Sequence, residues 1–559
     1  MKSVLVAITV ALILTACGAD PDTPVLDANA LTLLPEHSLI SMALVNPAEV
    51  ITAIDSYATG VPIFGESAVS GWILAALDCS SMDEVETRYG IDVDGSLVIF
   101  MQSMMPQSFG AALSVTNADL FWSTVGITPT SGEPIGNTEV GYFEVDFGKV
   151  YVCSTRGLLL AAGSRAGLEG MLTHLDDQSV DSLPAIPDGS LYFYAEVAIF
   201  GPMAAQQLAM FKPQLLAQMQ TPENTDIEMT TNVMNLYFEA IDIFLTQTQS
   251  IDCILTFGPE FLTVNSAASF VTGSDLDELI IPVDVVDMTT LIPAGDVAVA
   301  RVCLDPAASE TIMTAVMSAM GMEDIPQEMV SFWSQASSSM AMSMFVHPDE
   351  PFNIVAVYNM PEGSTLQQVQ DVYQEQFSLM SEIMGDMPGL TFKDVTMAEY
   401  DGIEWVTFGM QMDYEAMQES MSVDADGDSP LSGGFAWTAW LTEADGILYM
   451  EMNDQPLIVP MLISGTWEGG FASSLPEMSS FSDEAEFAML INLPEYMNMI
   501  ITMSGLDIPA IDSSPVWIEA QADIIDGGIE KHFRVNGSSF VAFLGQAVQT
   551  FSALASIEN

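Results

Sequence analysis

Apolar residues along this chain alternate in short runs, switch to helical spacing, and then repeat that order. The clearest copy is Leu291–Pro306 (LIPAGDVAVARVCLDP): a proline turn, an apolar strand, and a second proline that opens a helix. Relatives of it lie at Leu34–Pro47 (LPEHSLISMALVNP), Ile186–Pro202 (IPDGSLYFYAEVAIFGP) and, more loosely, Phe481–Pro494 (FSDEAEFAMLINLP). After Pro47, Val50, Ile51, Ile54 and Ala58 fall on one helical face, and Asn46 stands where a helix cap belongs.

The four copies lead into two kinds of module. After the first, strand patterns at Leu97–Met101, Ala111–Val115, Val140–Phe147, Lys149–Ser154 and Leu158–Ala162 are broken by Gly, Pro and Asn. After the third, strands at Met340–Val346, Ile354–Tyr358, Ile403–Phe408, Phe435–Leu441 and Ile447–Met452 repeat that series. The second and fourth copies lead instead to helices and a paired-strand ending, Asp252–Phe257 with Phe261–Phe270 and Val516–Ile524 with Gly528–Val535. These patterns predict an α+β fold of two tandem halves. Each half is a strand-rich module followed by a smaller strand-helix-hairpin module, with largely antiparallel sheets and helices packed on one face. The expected layout is 1–17 signal, 18–30 tether, 31–180 and 287–472 strand-rich modules, and 181–286 and 473–559 smaller modules. A cut within 284–290 is expected to leave two separately folding halves.

A length of 559 residues exceeds what one core supports, so several domains are expected. Charge narrows the partners. Against 76 Asp plus Glu stand ten Lys plus Arg, a formal charge of -66, which excludes nucleic acid as a direct partner and makes an anionic surface repulsive. With 49% hydrophobic residues in periodic segments, the acids read as a solvated surface rather than as disorder.

The first seventeen residues, MKSVLVAITVALILTAC, carry one Lys, an apolar run and small residues, the pattern of a secretory signal too short to remain as a membrane span. Leu14-Thr15-Ala16-Cys17 resembles the lipobox of bacterial lipoproteins. That resemblance implies cleavage before Cys17, acylation of Cys17 and an anchor in the cell envelope. Gly18 after it matches an outer-membrane address. Gly18–Ala30 then reads as a tether spanning at most roughly 40 Å. The body resembles an exported bacterial family of unknown function, through LPEHSLISMALVNPAEV at 34–50 and IPAGDVAVARVCLDPAA at 292–308. This resemblance implies an exported α+β protein and no particular activity.

No chemistry-bearing motif stands out. His37, His174, His347 and His532 are scattered without zinc-ligand spacing, and the nucleophile-elbow, phosphate-loop and dinucleotide patterns are missing from the sequence. Asp424, Asp426 and Asp428 resemble the start of a calcium loop, but Ser429 replaces its glycine and Phe435 its bidentate Glu, so a solvated turn is expected and a weak calcium site is the lesser alternative. The 38 methionines include Met340, Met342 and Met344 at strand spacing, which places them on one face. Such a face fits core or an adaptable apolar surface better than a Cu(I) site, since neither His nor Cys accompanies it. Cys79, Cys153, Cys253 and Cys303 form no framework; at most one incidental disulfide is expected. The sequence therefore reads as a lipid-anchored, extracytoplasmic protein without catalytic activity or cofactor. Its expected role is binding a partner or shaping the envelope, with a carrier of an apolar ligand or lipid as the alternative and an unrecognised hydrolase behind it.

Overall fold

The structure is a computed structural model. It describes residues 30–557 apart from 35–37, 60, 62–69, 104, 106–107, 146–147, 178–185, 220–226, 320–324, 348–349, 385–388, 414–415, 417–433, 482–484, 505–509 and 512. The elements in chain order begin with β1 (Ile40–Val45), α1 (Pro47–Ala58), α2 (Ser70–Leu77), α3 (Met82–Tyr89), β2 (Ser96–Met101), β3 (Phe109–Ser114) and α4 (Ala118–Val125). They continue with β4 (Thr130–Ser131), β5 (Gly141–Val145), β6 (Gly148–Thr155), β7 (Leu158–Ala162), α5 (Arg165–Asp177), β8 (Ser190–Ala195), α6 (Val197–Met219) and α7 (Ile227–Gln247). Next come β9 (Thr248–Phe257), β10 (Phe261–Phe270), α8 (Asp275–Leu279), β11 (Ala298–Cys303), α9 (Pro306–Ala319), α10 (Gln327–Ala336), β12 (Ser339–His347), β13 (Glu350–Asn359) and α11 (Leu366–Met384). The series closes with β14 (Leu390–Tyr400), β15 (Ile403–Asp413), β16 (Gly434–Ala444), β17 (Ile447–Met452), α12 (Val459–Ser464), β18 (Phe487–Asn492), α13 (Leu493–Ser504), β19 (Trp517–Ile525), β20 (Gly528–Asn536) and α14 (Gly537–Ile557).

Local chemistry explains the helix starts. Asn46 accepts the Glu49 amide at 3.2 Å, and Asp305 accepts that of Ala307 at 2.8 Å, so both strand-to-helix turns are capped by the residue before a proline. Asn117 does the same for α4, accepting from Leu120. Gly90 ends α3 at φ 67, where a Cβ would run into the Asn117 carbonyl oxygen.

The chain forms two compact units. Unit 1 holds the residues up to Phe200 with Gln249–Ser269 and Arg534–Gly545; unit 2 holds Gly201–Thr248, Phe270–Phe533 and the residues from Gln546 on. Each unit therefore draws some residues from both sides of 284–290.

The fold is α+β, and the sequence repeat reappears as matching sheet topology. In unit 1 the antiparallel order is β9-β8-β1-β2-β3-β7-β6-β5-β4. In unit 2 it is β19-β18-β11-β12-β13-β17-β16-β15-β14. Every strand of one order has its counterpart at the same place in the other. The two strands that open the modules of a half pair directly, β1 with β8 and β11 with β18.

Helices cover both faces of these sheets rather than one. In unit 1, Val98, Ala112 and Leu160 face α5, while Leu97, Leu113 and Leu159 pack under α1 to α4. Adjacent strand residues point to opposite faces, so one strand serves both cores. In unit 2, Val406, Leu441 and Leu448 pack with Met329, Trp333, Val369 and Tyr373 of α10 and α11. The other face buries Val299, Val355 and Trp405 with Val459 of α12. Trp437 and Trp440 of β16 sit on opposite faces as their spacing requires; Trp437 packs into the first of these cores and Trp440 into the second.

Candidate functional site

Two features of the described residues are candidates: a groove in unit 1 and a half-buried methionine row in unit 2. The groove has a volume of about 740 Å³ and is bounded by Phe100, Gly110, Ala162 and one face of α5. Along α5, Gly167, Gly170, Met171 and His174 follow i, i+3, i+4, i+7 spacing, so all four share the face that lines it. Of its two glycines, Gly170 opens on empty space, while Gly167 lets the helix approach Ala162, whose Cβ would stand 3.5 Å from one added at Gly167. Gly110 pairs across the strands with Phe100, and its missing side chain lets the Phe100 ring lie down on the sheet. Gln102, Ser103 and Ser108 give polar edges, and Ser108 Oγ donates to the Ser103 carbonyl at 2.6 Å.

The helix wall is pinned at both ends by arginines, which are scarce in this chain. Arg165 donates to the Glu133 and Pro134 carbonyls at 2.6 and 2.8 Å, beside the first turn of α5. Arg156 donates to the Leu175 carbonyl at 2.8 Å, where a cation also suits the helix dipole. The wall is thus fixed before any ligand arrives, which lowers the ordering cost of binding. Behind it, burial pushes the Cys153 thiol up to about 11, so that cysteine is a packing residue rather than a nucleophile. Cys79, Cys153, Cys253 and Cys303 are all free thiols.

The methionine face lies on the unit 2 sheet. Its register sets one row across five strands as Met489, Ala300, Met342, Ala356 and Met450. Met340 and Met344 flank Met342 on β12, and all of these methionines are half-buried. Alanines alternate with methionines, so the thioethers start on strands roughly 10 Å apart. That spacing gives no converging thioether cluster, and the row is partly core: Met450 packs against the core under α10 and α11, and Met344 against Ala298 and Met499. Spacing along β12 places Met340, Met342 and Met344 on one face, but the partners Met450 and Met489 require the strand order.

Other candidates from the sequence fall elsewhere. Cys17, Asp424, Asp426 and Asp428 lie outside the described residues. His174 borders the groove and His532 lies on β20. Among the described residues no group of three or more His, Cys, Asp or Glu could hold a metal ion. No helix among them is long and apolar enough to cross a membrane. The groove is not evident in the sequence; its one signal is the Gly167, Gly170, Met171, His174 spacing.

No family model and no curated protein matches the chain. Among solved structures, crystal form III of the treponemal protein TP0453 is similar over 44% of this chain and 82% of its own, with 10% identity and a TM-score of 0.25. Crystal form I of the same protein gives 11% identity, a TM-score of 0.23, and coverage of 44% of this chain and 79% of its own. A likeness of that size carries no argument about fold or activity.

Proposed function

We propose that this chain is an exported, lipid-anchored, non-catalytic binding protein of the cell envelope, and that the groove of unit 1 holds a slender apolar ligand such as an acyl chain. The groove carries the reading. Its volume lies in the range of small-molecule sites, its lining is mostly apolar with a few polar groups at the edges, and its wall is held in place without ligand. The lipobox at Leu14–Cys17 supplies the location, with Cys17 as the attachment residue and the outer membrane as the address.

The test uses Gly170, where an added Cβ would meet nothing within 4 Å. Gly170→Leu suits the helix and obstructs the groove. An unlipidated protein starting at Gly18 is extracted with organic solvent, analysed by native mass spectrometry and titrated with a fluorescent fatty acid. The expected result is bound lipid or saturable probe binding, at least roughly tenfold weaker in Gly170→Leu with an unchanged or raised melting temperature. A bare mass with no saturable binding rejects the ligand. For the anchor, Cys17→Ser is expected to abolish lipid labelling in cells; label retained on that variant rejects the lipobox.

A further inference from the structure

Two consecutive helices, α6 and α7, carry large apolar side chains on their outward faces. Met210 and Phe211 of α6 are 62% and 55% exposed, and Met203 and Leu215 are also exposed. On α7, Tyr237, Ile241 and Phe244 are exposed at i, i+4, i+7 spacing, which forms one stripe. Single exposed apolar residues are ordinary, but stripes on neighbouring helices mark an interaction surface. Lys212 of α6 reaches to 5.5 Å from the ring centre of the buried Phe238, which ties the two helices together at their middles.

Charge identifies the occupant. In a chain with 76 acidic residues, Val197–Met219 contains none, and its outward positions between the apolar side chains are Gln206, Gln207 and Gln214. An acidic chain is repelled by anionic surfaces, and a helix free of Asp and Glu that presents an apolar-and-amide face is matched to a neutral lipid interface. Such a surface is at hand, because the tether after Cys17 is only thirteen residues long and keeps the folded chain beside the bilayer. We propose that the outward face of α6, with the Tyr237-Ile241-Phe244 stripe of α7, rests in the interfacial layer of a lipid bilayer and adds a second membrane contact to the anchor. The nearness of the bilayer rests on the lipid-anchor reading; the affinity of the face does not.

The test therefore removes the anchor. Unlipidated protein from Gly18 is floated with phosphatidylcholine vesicles, and binding is read as the fraction that rises with them. Wild type is expected to rise with the vesicles, and Met210→Glu with Phe211→Glu to lower the bound fraction roughly tenfold at an unchanged melting temperature. Should that pair disturb folding, Tyr237→Glu with Phe244→Glu on α7 gives the same readout from the other helix. Wild type that stays down at all lipid concentrations overturns the proposal, as does flotation equal in well-folded variants. Concentration-dependent dimers in sedimentation, abolished by the same substitutions without any flotation of wild type, would assign the face to a second copy instead. Because no lipid is attached, these outcomes are independent of whether Cys17 is acylated in cells.

Discussion

The two units use one sheet order and fill the same position in opposite ways. In unit 1, Ala162 on β7 pairs with Gly110 and forms part of the groove floor; in unit 2, the matching residue on β17 is Glu451, paired with Val355. Both are buried, Ala162 at 1% and Glu451 at 0% exposure. The Glu451 carboxylate accepts the amides of Leu457, Ile458 and Val459 at 2.9 to 3.1 Å, so the start of α12 is bound to the sheet. A side chain and a helix terminus thus occupy in unit 2 the place that α5 covers directly in unit 1, where a Cβ on Gly167 would stand 3.5 Å from that of Ala162 and the groove runs alongside. Repetition of a fold left each copy free to cover the same strand position in its own way, by close helix packing in one and by a capped helix start in the other.

The comparison can be broken at several levels. The largest effect belongs to cutting the chain within 284–290. Each fragment keeps its nine-strand order but loses segments that its unit draws from the other side, Arg534–Gly545 for unit 1 and Gly201–Thr248 for unit 2, so both should melt well below the whole chain and co-expression should restore its melting temperature; two fragments as stable as the whole chain would contradict the division into units. Next is Glu451→Ala, which leaves the buried amides of Ile458 and Val459 and the part-buried amide of Leu457 without their acceptor and should cost about 3 kcal/mol or more in urea unfolding. Glu451→Gln, which keeps an acceptor oxygen, should fall between. A loss below about 1 kcal/mol would show that the carboxylate is not what holds α12 to the sheet.

Smaller effects distinguish the open faces. Met342 and Met489 of unit 2 stand where unit 1 has Ile99 and Phe193, and all four are only partly covered. Truncating Met342 and Met489 to Ala should cost about 1 kcal/mol each, below the usual loss for a filled core position. Losses of about 3 kcal/mol or more in chemical denaturation would show that this face is core.

The smallest effect is the pH dependence of unit 1. Burial, then the charges of Asp92, Asp94 and Asp83, raises the pKa of Glu86; burial, then Asp92 and Asp188, raises that of Asp94. A carboxyl raised in the folded state binds its proton more readily there than in the unfolded chain. Stability should therefore rise as pH falls from neutral through the raised values, and stop rising once the ordinary carboxylate range is reached. Thermal melts between about pH 7 and pH 4 read this directly, and Glu86→Gln with Asp94→Asn should flatten the slope.

Local pattern carries most of the elements. Alternation locates β10, apolar runs between turn residues locate β1, β7 and β17, and Asn46-Pro47, Asn117 and Asp305-Pro306 locate helix starts because a cap and a proline act within a few residues. Helix α6 begins at Val197, ahead of the expected Gly201-Pro202, and carries Pro202 and Pro213 inside it, so tertiary context prevails over a local breaker. Strand β14 escapes the pattern, because LTFKDVTMAEY is charged on its exposed positions and buries only Val395. Helix α10 escapes it as well; QEMVSFWSQA has no capping side chain to announce it, and it is held by burial of Met329, Phe332 and Trp333.

The sequence by itself determined the repeat, the α+β class, the strong negative charge and the common face of Met340, Met342 and Met344, since each depends on composition or on spacing along one element. Tertiary structure alone decided which strands pair, and so brought Met489 and Met450 into the row of Met342 and placed Phe100, Gly110 and Ala162 opposite the glycine face of α5. Pairing joins residues tens to hundreds of positions apart through backbone hydrogen bonds that any residue but proline can make. The side chains therefore record that a strand exists, and only the packed sheet records its neighbours.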